Sequence, residues 1–298
     1  MFGRTAQRAF KLARNFSQKK SVRRVAAGGA GTSFCFSLFS SGQKQPTETQ
    51  SKETAQKIKN YDIVLRDTDE LYDNYLIDNA YNILKKFGSS DNSELLWRLA
   101  RVLCEKSKLS KDVAEKKQYM LEAFAVVQKA LVHEPESGCF GAHKWYAIIL
   151  DYVGELQGSK SRIEKSHEVK EHLEKALKIY YDDPTTWHIL GLWHFAFADM
   201  GYATRLVAKT IFATPPSSTY DQALHYFMRA EEISPGFYST NTFYIAEVYD
   251  RLGKKEDAVE YYKKAFKMSV LTADDAAIHK KAHDNLRRNG VKDSELVA

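Results

Sequence analysis

The chain contains 298 residues, of which 44% are hydrophobic and 28% are charged, and a chain of this composition can bury a sizeable core. Only 15 glycines and 6 prolines are present, and no segment alternates apolar and polar residues for long. An extended β-sheet is therefore excluded, and an all-α fold is expected. The formal charge of +6 comes from one end: residues 1–47 hold nine Lys or Arg and no acid, against 35 basic and 38 acidic residues in the rest. This distribution excludes a strongly basic nucleic-acid-binding body.

The first 47 residues have the pattern of a basic amphipathic leader. At about 100° per residue, Phe2, Phe10 and Phe16 fall on one side of a helix and the basic residues on the other. The segment resembles a mitochondrial targeting sequence, and a disordered basic tail is the alternative. Residues 25–43 are uncharged, but their Gly and Ser residues weaken the apolar signal expected of a membrane-spanning anchor. The sequence therefore leaves open whether the leader is cleaved or anchors the protein to a mitochondrial membrane. Residues 48–60 are polar and are predicted to be a linker.

An internal repeat is the main signal in the rest of the chain. Four similar segments carry a pivotal alanine, with intervals of 46, 54 and 35 residues between Ala130, Ala176, Ala230 and Ala265. The last interval is close to the tetratricopeptide unit of roughly 34 residues. We therefore predict a tetratricopeptide-like α-solenoid of antiparallel helix pairs over residues 61–290, beginning with a weak hairpin and followed by a tail at 291–298.

The unit around residues 183–235 contains an insertion. Asp183 is the expected N-cap of its first helix and Pro184 the first helical residue. In a plain repeat the next alanine of the pattern would lie twelve residues after Gly191, at Ala203. The alanine that fits the pattern is instead Ala223, about twenty residues after that position. The spacing predicts that the first helix is extended through the segment FADMGYATRLVAKTIFAT.

Two consecutive prolines end this extension, because proline lacks an amide donor and its ring clashes inside a helix. Pro215 and Pro216 are therefore expected at a joint, with Ser218 and Asp221 forming a capping box for the second helix.

The last unit is the most regular one. In NTFYIAEVYDRLGKKEDAVEYYKKAFKM, small Ala246 and Ala258 allow two helices to approach closely, Tyr249 and Tyr262 fill the space beside them, and Gly253 makes the turn. A final helix from about residue 274 to 289 is predicted to cap the solenoid.

The histidines do not form a recognisable catalytic or metal motif. His167 and His172, in HEVKEH, are five residues apart, which places their rings about 140° apart around a helix. His279 and His283 have the required spacing of four but no implied third ligand. No nucleophile elbow, Cys/His pair or kinase motif is present, so no enzyme activity, metal or cofactor is expected.

Binding is the function that remains. A helical-repeat stack presents a groove that normally holds a peptide or protein partner. A basic cluster on the final helix could engage an acidic partner such as a tubulin surface or an anionic membrane, although a solvated capping face is the alternative. A second set of candidates is a short motif in the middle of the chain, in which Trp145 also fits core packing and His143 also fits a hydrogen-bonded core or groove position. The candidate partner-binding residues are Lys280, Lys281, Arg287 and Arg288 in the cluster, and His143, Lys144 and Trp145 in the motif.

Five segments together resemble the regulator of microtubule dynamics family over about residues 60–285. They are ELLWRLAR at 94–101, HKWYAIIL at 143–150, KEHLEKAL at 170–177, IFATPPSSTYDQALHYFMRAE at 211–231 and PGFYSTN at 235–241. The resemblance implies a non-enzymatic protein that binds microtubules, acts in spindle organisation and chromosome segregation, and is associated with mitochondria in some members.

A leader that carries the protein into the mitochondrial matrix would separate it from microtubules. We therefore expect a microtubule-associated protein of the cytoplasm and spindle with a mitochondrial link. The alternative is a mitochondrial adaptor whose groove binds a peptide or a lipid.

Overall fold

A computed structural model describes residues 48–212, 216–270 and 273–296. Within these residues the backbone is helical and contains no β-strand. The α-helices are α1 (Glu48–Asp73), α2 (Ile77–Leu84), α3 (Ser93–Leu109), α4 (Val113–Val132), α5 (Phe140–Gln157), α6 (Ser159–Ile179), α7 (Pro184–Ala198), α8 (Tyr202–Ile211), α9 (Tyr220–Ile233), α10 (Ser239–Arg251), α11 (Lys255–Lys267) and α12 (Ala273–Arg288). Short 3₁₀ turns lie at Lys85–Phe87 and Asp293–Glu295.

The helices pack as successive pairs, which confirms the predicted α-solenoid. The pairs are α3 with α4, α5 with α6, α7 with α9 and α10 with α11, and each pair also contacts the next one. The final helix α12 packs on α10 and α11, so the predicted cap is present. The predicted pivotal alanines are buried where the helices of a pair approach each other: Ala130, Ala176, Ala230 and Ala265.

Helix α1 is joined to α3 by buried charges. Arg98 donates from Nε and Nη2 to the two oxygens of Asp69, at 3.0 and 2.8 Å, and Arg101 donates to Asp69 from Nη2 at 2.7 Å. The Arg101 guanidinium also lies 3.8 Å from the centre of the Tyr72 ring. Because these groups are buried, each charge depends on the others for compensation.

The predicted start of α7 is confirmed. Asp183 has an extended backbone and its Oδ2 accepts from the Thr186 amide at 2.7 Å, while Pro184 occupies the first turn, where its missing amide is not needed. The Asp183 carboxylate also accepts from Lys144 Nζ at 2.7 Å. One side chain therefore caps α7 and ties it to α5.

Two glycines serve different purposes in the repeat. Gly253 has a φ of 75° in the turn between α10 and α11, as predicted, and this left-handed conformation favours glycine. Gly191 lies inside α7, where an added Cβ would come within 2.5 Å of Phe227 Cδ1. The absence of a side chain at Gly191 thus allows α7 and α9 to pack closely.

The insertion is a separate helix, so the predicted extension of α7 is wrong. The α7 helix ends at Ala198, and α8 starts after Gly201, whose backbone is extended.

The capping box of α9 is also different from the predicted one. Thr219 and Gln222 form it, through Gln222 N to Thr219 Oγ1 and Thr219 N to Gln222 Oε1, both at 3.1 Å. Ser218 lies one residue too early and is hydrogen-bonded to His194 instead.

The amino-terminal boundaries also differ from the expectation. Residues 48–60, which were predicted to be a linker, form the first half of α1, because helical backbone begins at Glu48. The leader at 1–47 and Pro215 lie outside the described residues, whereas Pro216 is buried. Among the helices that the structure describes, none is both long enough and apolar enough to span a bilayer.

Candidate binding site

A cleft of about 820 Å³ opens on the solenoid. Its walls come from α5, α6, α7, the start of α8, α10 and α12. The apolar part of its lining is formed by Ile163, Val169, Leu192, Trp193, Phe195, Ala196, Phe197, Met200, Phe243 and Tyr244. A cavity of this size with an apolar floor is suited to holding side chains of a peptide or the chains of a small apolar ligand.

Helix α7 provides half of the apolar lining residues, and it contains no charged residue. Its Leu190 and Phe197 side chains are buried, while Phe195 is partly exposed and Ala196 is exposed in the cleft. The Phe195 ring packs edge-on against Tyr244 of α10, with the ring centres 5.3 Å apart. A helix without a polar face needs a second covering surface in addition to the core. This absence of a polar face is the sequence signal that could have located the cleft.

The edge of the cleft near α7 is fixed by an ionic network. Asp199 Oδ1 accepts from Arg251 Nε at 2.9 Å and from the Tyr220 hydroxyl at 2.7 Å. Burial raises the pKa of Asp199, but the hydrogen bonds from Arg251 and Tyr220 outweigh it, so this pKa lies below its ordinary value. On the neighbouring wall Glu247 accepts from Tyr262 at 2.5 Å and from Asn285 at 2.7 Å. These bonds connect α7, α9, α10, α11 and α12.

The opposite edge carries a second ion pair. Arg162 of α6 donates from Nε and Nη2 to the two oxygens of Asp151 at 2.8 and 2.6 Å. Burial lowers the pKa of Arg162, but Asp151 more than compensates and raises it overall. Nearby, Trp193 donates from Nε1 to the Ser166 carbonyl at 2.9 Å, which fixes its ring at the cleft wall. The edges are therefore polar and preorganised, whereas the floor is apolar.

The four basic residues predicted as a patch on α12 are all exposed but divide between two directions. Lys281 and Arg288 line the cleft together with Asp284, and neither forms an ion pair within 4 Å with a residue that the structure describes. Lys280, and to a smaller extent Arg288, lowers the pKa of Asp284. Lys280 pairs with Asp284 at 2.7 Å, and Arg287 Nε lies 3.9 Å from Asp293 Oδ1. Of the four residues, only Lys281 and Arg288 line the cleft without forming such an ion pair.

The other predicted candidates do not reach a binding surface. Lys144 is fully buried and bonded to Asp183, and Trp145 is buried with its ring edge-on to Tyr72 at 6.4 Å. Burial lowers the pKa of Lys144 and the nearby Asp183 carboxylate opposes this shift. Their assignment to a partner-binding site is therefore wrong, because their side chains are used between helices α1, α5 and α7.

His143 is a hydrogen-bonded buried residue, one of the two roles predicted for it. Its Nδ1 lies 2.9 Å from His172 Nδ1, and its Nε2 lies 3.2 Å from Glu134 Oε2. Burial lowers the pKa of both rings, that of His172 to about 4. His167 contacts Phe212 instead, at 5.0 Å between ring centres, so the two histidines of HEVKEH have different surroundings.

The histidines of α12 are used in packing. His279 and His283 both stack on Phe266, with ring centres 4.1 and 5.7 Å away. Nδ1 of His279 lies 2.9 Å from the Phe266 carbonyl oxygen, and Nε2 of His283 lies 3.0 Å from Asp293. In the described part of the chain no three side chains form a group that could hold a metal ion.

Paired antiparallel helices around a cleft define a tetratricopeptide-type helical-repeat protein. A thermophilic TPR protein of Thermus thermophilus has the same fold with a TM-score of 0.51 at 16% identity, and the match covers 74% of this chain and 98% of that one. Such low identity establishes the fold alone.

The family is shown by the sequence comparisons. The family described as Regulator of microtubule dynamics protein 1-3 matches residues 64–290, and this chain belongs to that family. Regulator of microtubule dynamics protein 1 of Bos taurus is 38% identical over 234 residues, which are 78% of this chain and 73% of that protein. Regulator of microtubule dynamics protein 2 of Mus musculus is 32% identical over 64% of this chain and 46% of that protein.

Proposed function

We propose that this protein is a non-enzymatic, microtubule-associated binding protein that acts in spindle organisation and chromosome segregation. Its place of action is the cytoplasm, including the spindle, with a link to mitochondria through the leader at 1–47. The observation that carries the proposal is the cleft, with its apolar floor and with Lys281 and Arg288 at one end. The name of the family supports the proposal that microtubules are the partner.

The cleft favours an extended partner segment with two features. Apolar side chains of the segment would cover Leu192, Phe195 and Ala196 on α7, which gains free energy from burial. Carboxylates of the segment would face Lys281 and Arg288, where opposite charge improves both association rate and specificity. An acidic tubulin surface has the second feature.

Co-sedimentation with stabilised microtubules over a salt series tests this proposal. The chain should pellet with microtubules, and pelleting should weaken as salt rises, because exposed charges are screened over about 10 Å at 0.1 M salt. Changing Lys280, Lys281, Arg287 and Arg288 together to Glu should weaken pelleting without unfolding the solenoid. If the cleft is the site, Lys281→Glu with Arg288→Glu should account for most of the loss, and Lys280→Glu with Arg287→Glu for little.

A second variant tests the cleft without changing its charge. Ala196→Trp places a large ring on the exposed floor and should block a partner segment, whereas Ala125→Trp, on the exposed side of α4, is the matched control. Equal pelleting by both Trp variants would exclude the cleft. No pelleting by the folded chain at low salt would exclude direct microtubule binding.

The apolar lining also favours a second candidate function, that of a mitochondrial adaptor whose cleft binds a peptide or a lipid. Cell fractionation separates the two. If all of the protein lies in the mitochondrial matrix, the microtubule proposal fails and the adaptor remains.

A further inference from the structure

The inserted helix α8 exposes most of its apolar side chains. Tyr202 is 79% exposed, Leu206 45% and Val207 41%, whereas Ala208 is its only buried side chain. At about 100° per residue, these three residues and Ala203 form an arc of about 140° opposite Ala208, which also contains the exposed Thr210. An apolar face of this kind on a helix that the repeat does not require needs a covering surface outside the solenoid.

The charges of α8 indicate which kind of surface this is. Arg205 and Lys209 are both exposed along one edge of the apolar arc, and neither forms an ion pair with any carboxylate that the structure describes. No acidic residue occurs between Asp199 and Asp221 in the sequence, and Asp199 is already bound by Arg251. Apart from Thr204 and Thr210, the exposed side chains of α8 are therefore cationic or apolar, and none is acidic.

Two alternative occupants belong to this protein and fit poorly. A second copy of α8 would bring Arg205 and Lys209 against the same two cations. The leader at 1–47 carries nine basic residues and no acid, so it offers no complementary charge either. The complementary surface must be anionic, and it must also accept the apolar side chains on one face of α8.

We propose that α8 docks on the surface of an anionic lipid bilayer. A helix lying in the plane of the interface buries its apolar arc among the acyl chains, and its cations remain at the headgroups. Tyr202, at the start of α8, matches the preference of tyrosine for the boundary between apolar and aqueous phases. Long basic side chains beside the arc extend toward lipid phosphates while their stems stay apolar.

The position of α8 gives the docking a consequence for the cleft. Gly201 and Thr204, at the start of α8, line the cleft together with Ser159 and Arg162 of α6. Because Thr204 lies about 130° around the helix from the centre of the arc, a bilayer in contact with the arc would leave the cleft-lining side of α8 uncovered. This proposal does not depend on the identity of the partner in the cleft.

Amide hydrogen exchange of the full chain provides a test at the site itself. Vesicles of phosphatidylcholine mixed with phosphatidylserine should slow exchange over residues 202–211 by roughly tenfold, and vesicles of phosphatidylcholine alone should not. The basic leader can bind the same vesicles, but exchange within α8 reports on α8 separately. Unchanged exchange at 202–211 with anionic vesicles would overturn the proposal, as would equal protection by neutral vesicles.

Variants separate the contributions of charge and apolar contact. Leu206→Glu should abolish the protection of α8, whereas Val113→Glu, at an apolar position that is 81% exposed on α4, should not. Arg205→Glu with Lys209→Glu keeps the apolar arc and should also abolish protection, with Lys116→Glu and Lys117→Glu on α4 as the control pair. If microtubules protect 202–211 and anionic vesicles do not, the partner of α8 is a protein surface and the proposal is wrong.

Discussion

Arg251, at the end of α10, donates from Nε to Oδ1 of Asp199, which immediately follows α7, at 2.9 Å. This ion pair joins two repeat units at the edge of the cleft and at the point where the chain leaves α7 for the inserted helix. The Tyr220 hydroxyl donates to the same oxygen, so the start of α9 is held at this point too.

A double-mutant cycle measures this link. Asp199→Ala and Arg251→Ala should each lower the free energy of unfolding by about 1 kcal/mol or less, because both side chains are more than a third exposed. The two losses should not add, and a coupling energy of roughly 0.5 kcal/mol is expected from urea unfolding. Independent losses in the double variant would show that the 2.9 Å contact contributes no measurable stability. Tyr220→Phe, which removes only the hydroxyl, should cause a smaller loss.

Close packing between α7 and α9 depends on Gly191. Gly191→Ala places a Cβ within 2.5 Å of the buried Phe227 ring and should lower the free energy of unfolding by about 1–3 kcal/mol through overpacking. This loss should occur although alanine favours helix more than glycine does. Gly201→Ala is the control, since nothing lies within 4 Å of its added Cβ. Thermal unfolding compares the two, and a Gly191→Ala variant at least as stable as the parent would contradict the packing account.

The buried His188 should make stability depend on pH. Burial lowers its pKa to about 4, although the hydrogen bond with Asn241 opposes the shift, so the neutral ring is favoured in the folded state. The unfolded chain, with a pKa near 6.5, binds more protons between about pH 6.5 and 4. His188 therefore contributes its full stability above about pH 6.5, and this contribution is lost progressively as the pH falls toward 4, by roughly 3 kcal/mol at most.

Urea unfolding at several pH values checks this behaviour. The decrease in stability between about pH 6.5 and 4 should be smaller in His188→Gln than in the parent chain, because glutamine does not titrate. His225→Gln, at an exposed histidine of α9, is the matched control substitution. The same slope in all three proteins would assign the acid sensitivity to other groups.

The buried pair of Lys144 and Asp183 is expected to be structural. Lys144→Met removes the cation 2.7 Å from a buried carboxylate and should cost about 3–5 kcal/mol of stability. Adding Asp183→Asn should recover part of this loss, since the amide retains a cap for α7 and carries no charge. Thermal unfolding followed by circular dichroism measures both effects. Microtubule pelleting of the folded Lys144→Met protein should equal that of the parent, and selective loss of pelleting would restore Lys144 as a binding residue.

Local patterns determined several elements of the repeat correctly. Asp183 and Pro184 mark the start of α7, and Gly253 marks a turn, because caps and left-handed turns depend on a few neighbouring residues. The pivotal alanines are buried at helix contacts, since only a small side chain permits the close approach that the repeat requires. The same local reasoning did not decide how the insertion is arranged. The polar segment at 48–60 was also misassigned, because its composition resembles that of a linker.

The roles of charged and aromatic residues could be assigned only from the tertiary structure. A sequence cannot show that Lys144 faces a buried carboxylate 39 positions away, or that Lys281 and Arg288 face a cleft while Lys280 pairs with Asp284. Such roles depend on which helices become neighbours, and a lysine at the same helical position is stable either in solvent or beside a buried acid. The sequence by itself thus determined the repeat, its family and a few helix boundaries, among them the start of α7 and the approximate span of α12. Only the packing of the helices decided which side chains surround the cleft, because that surface is assembled from six helices that lie between residues 140 and 288.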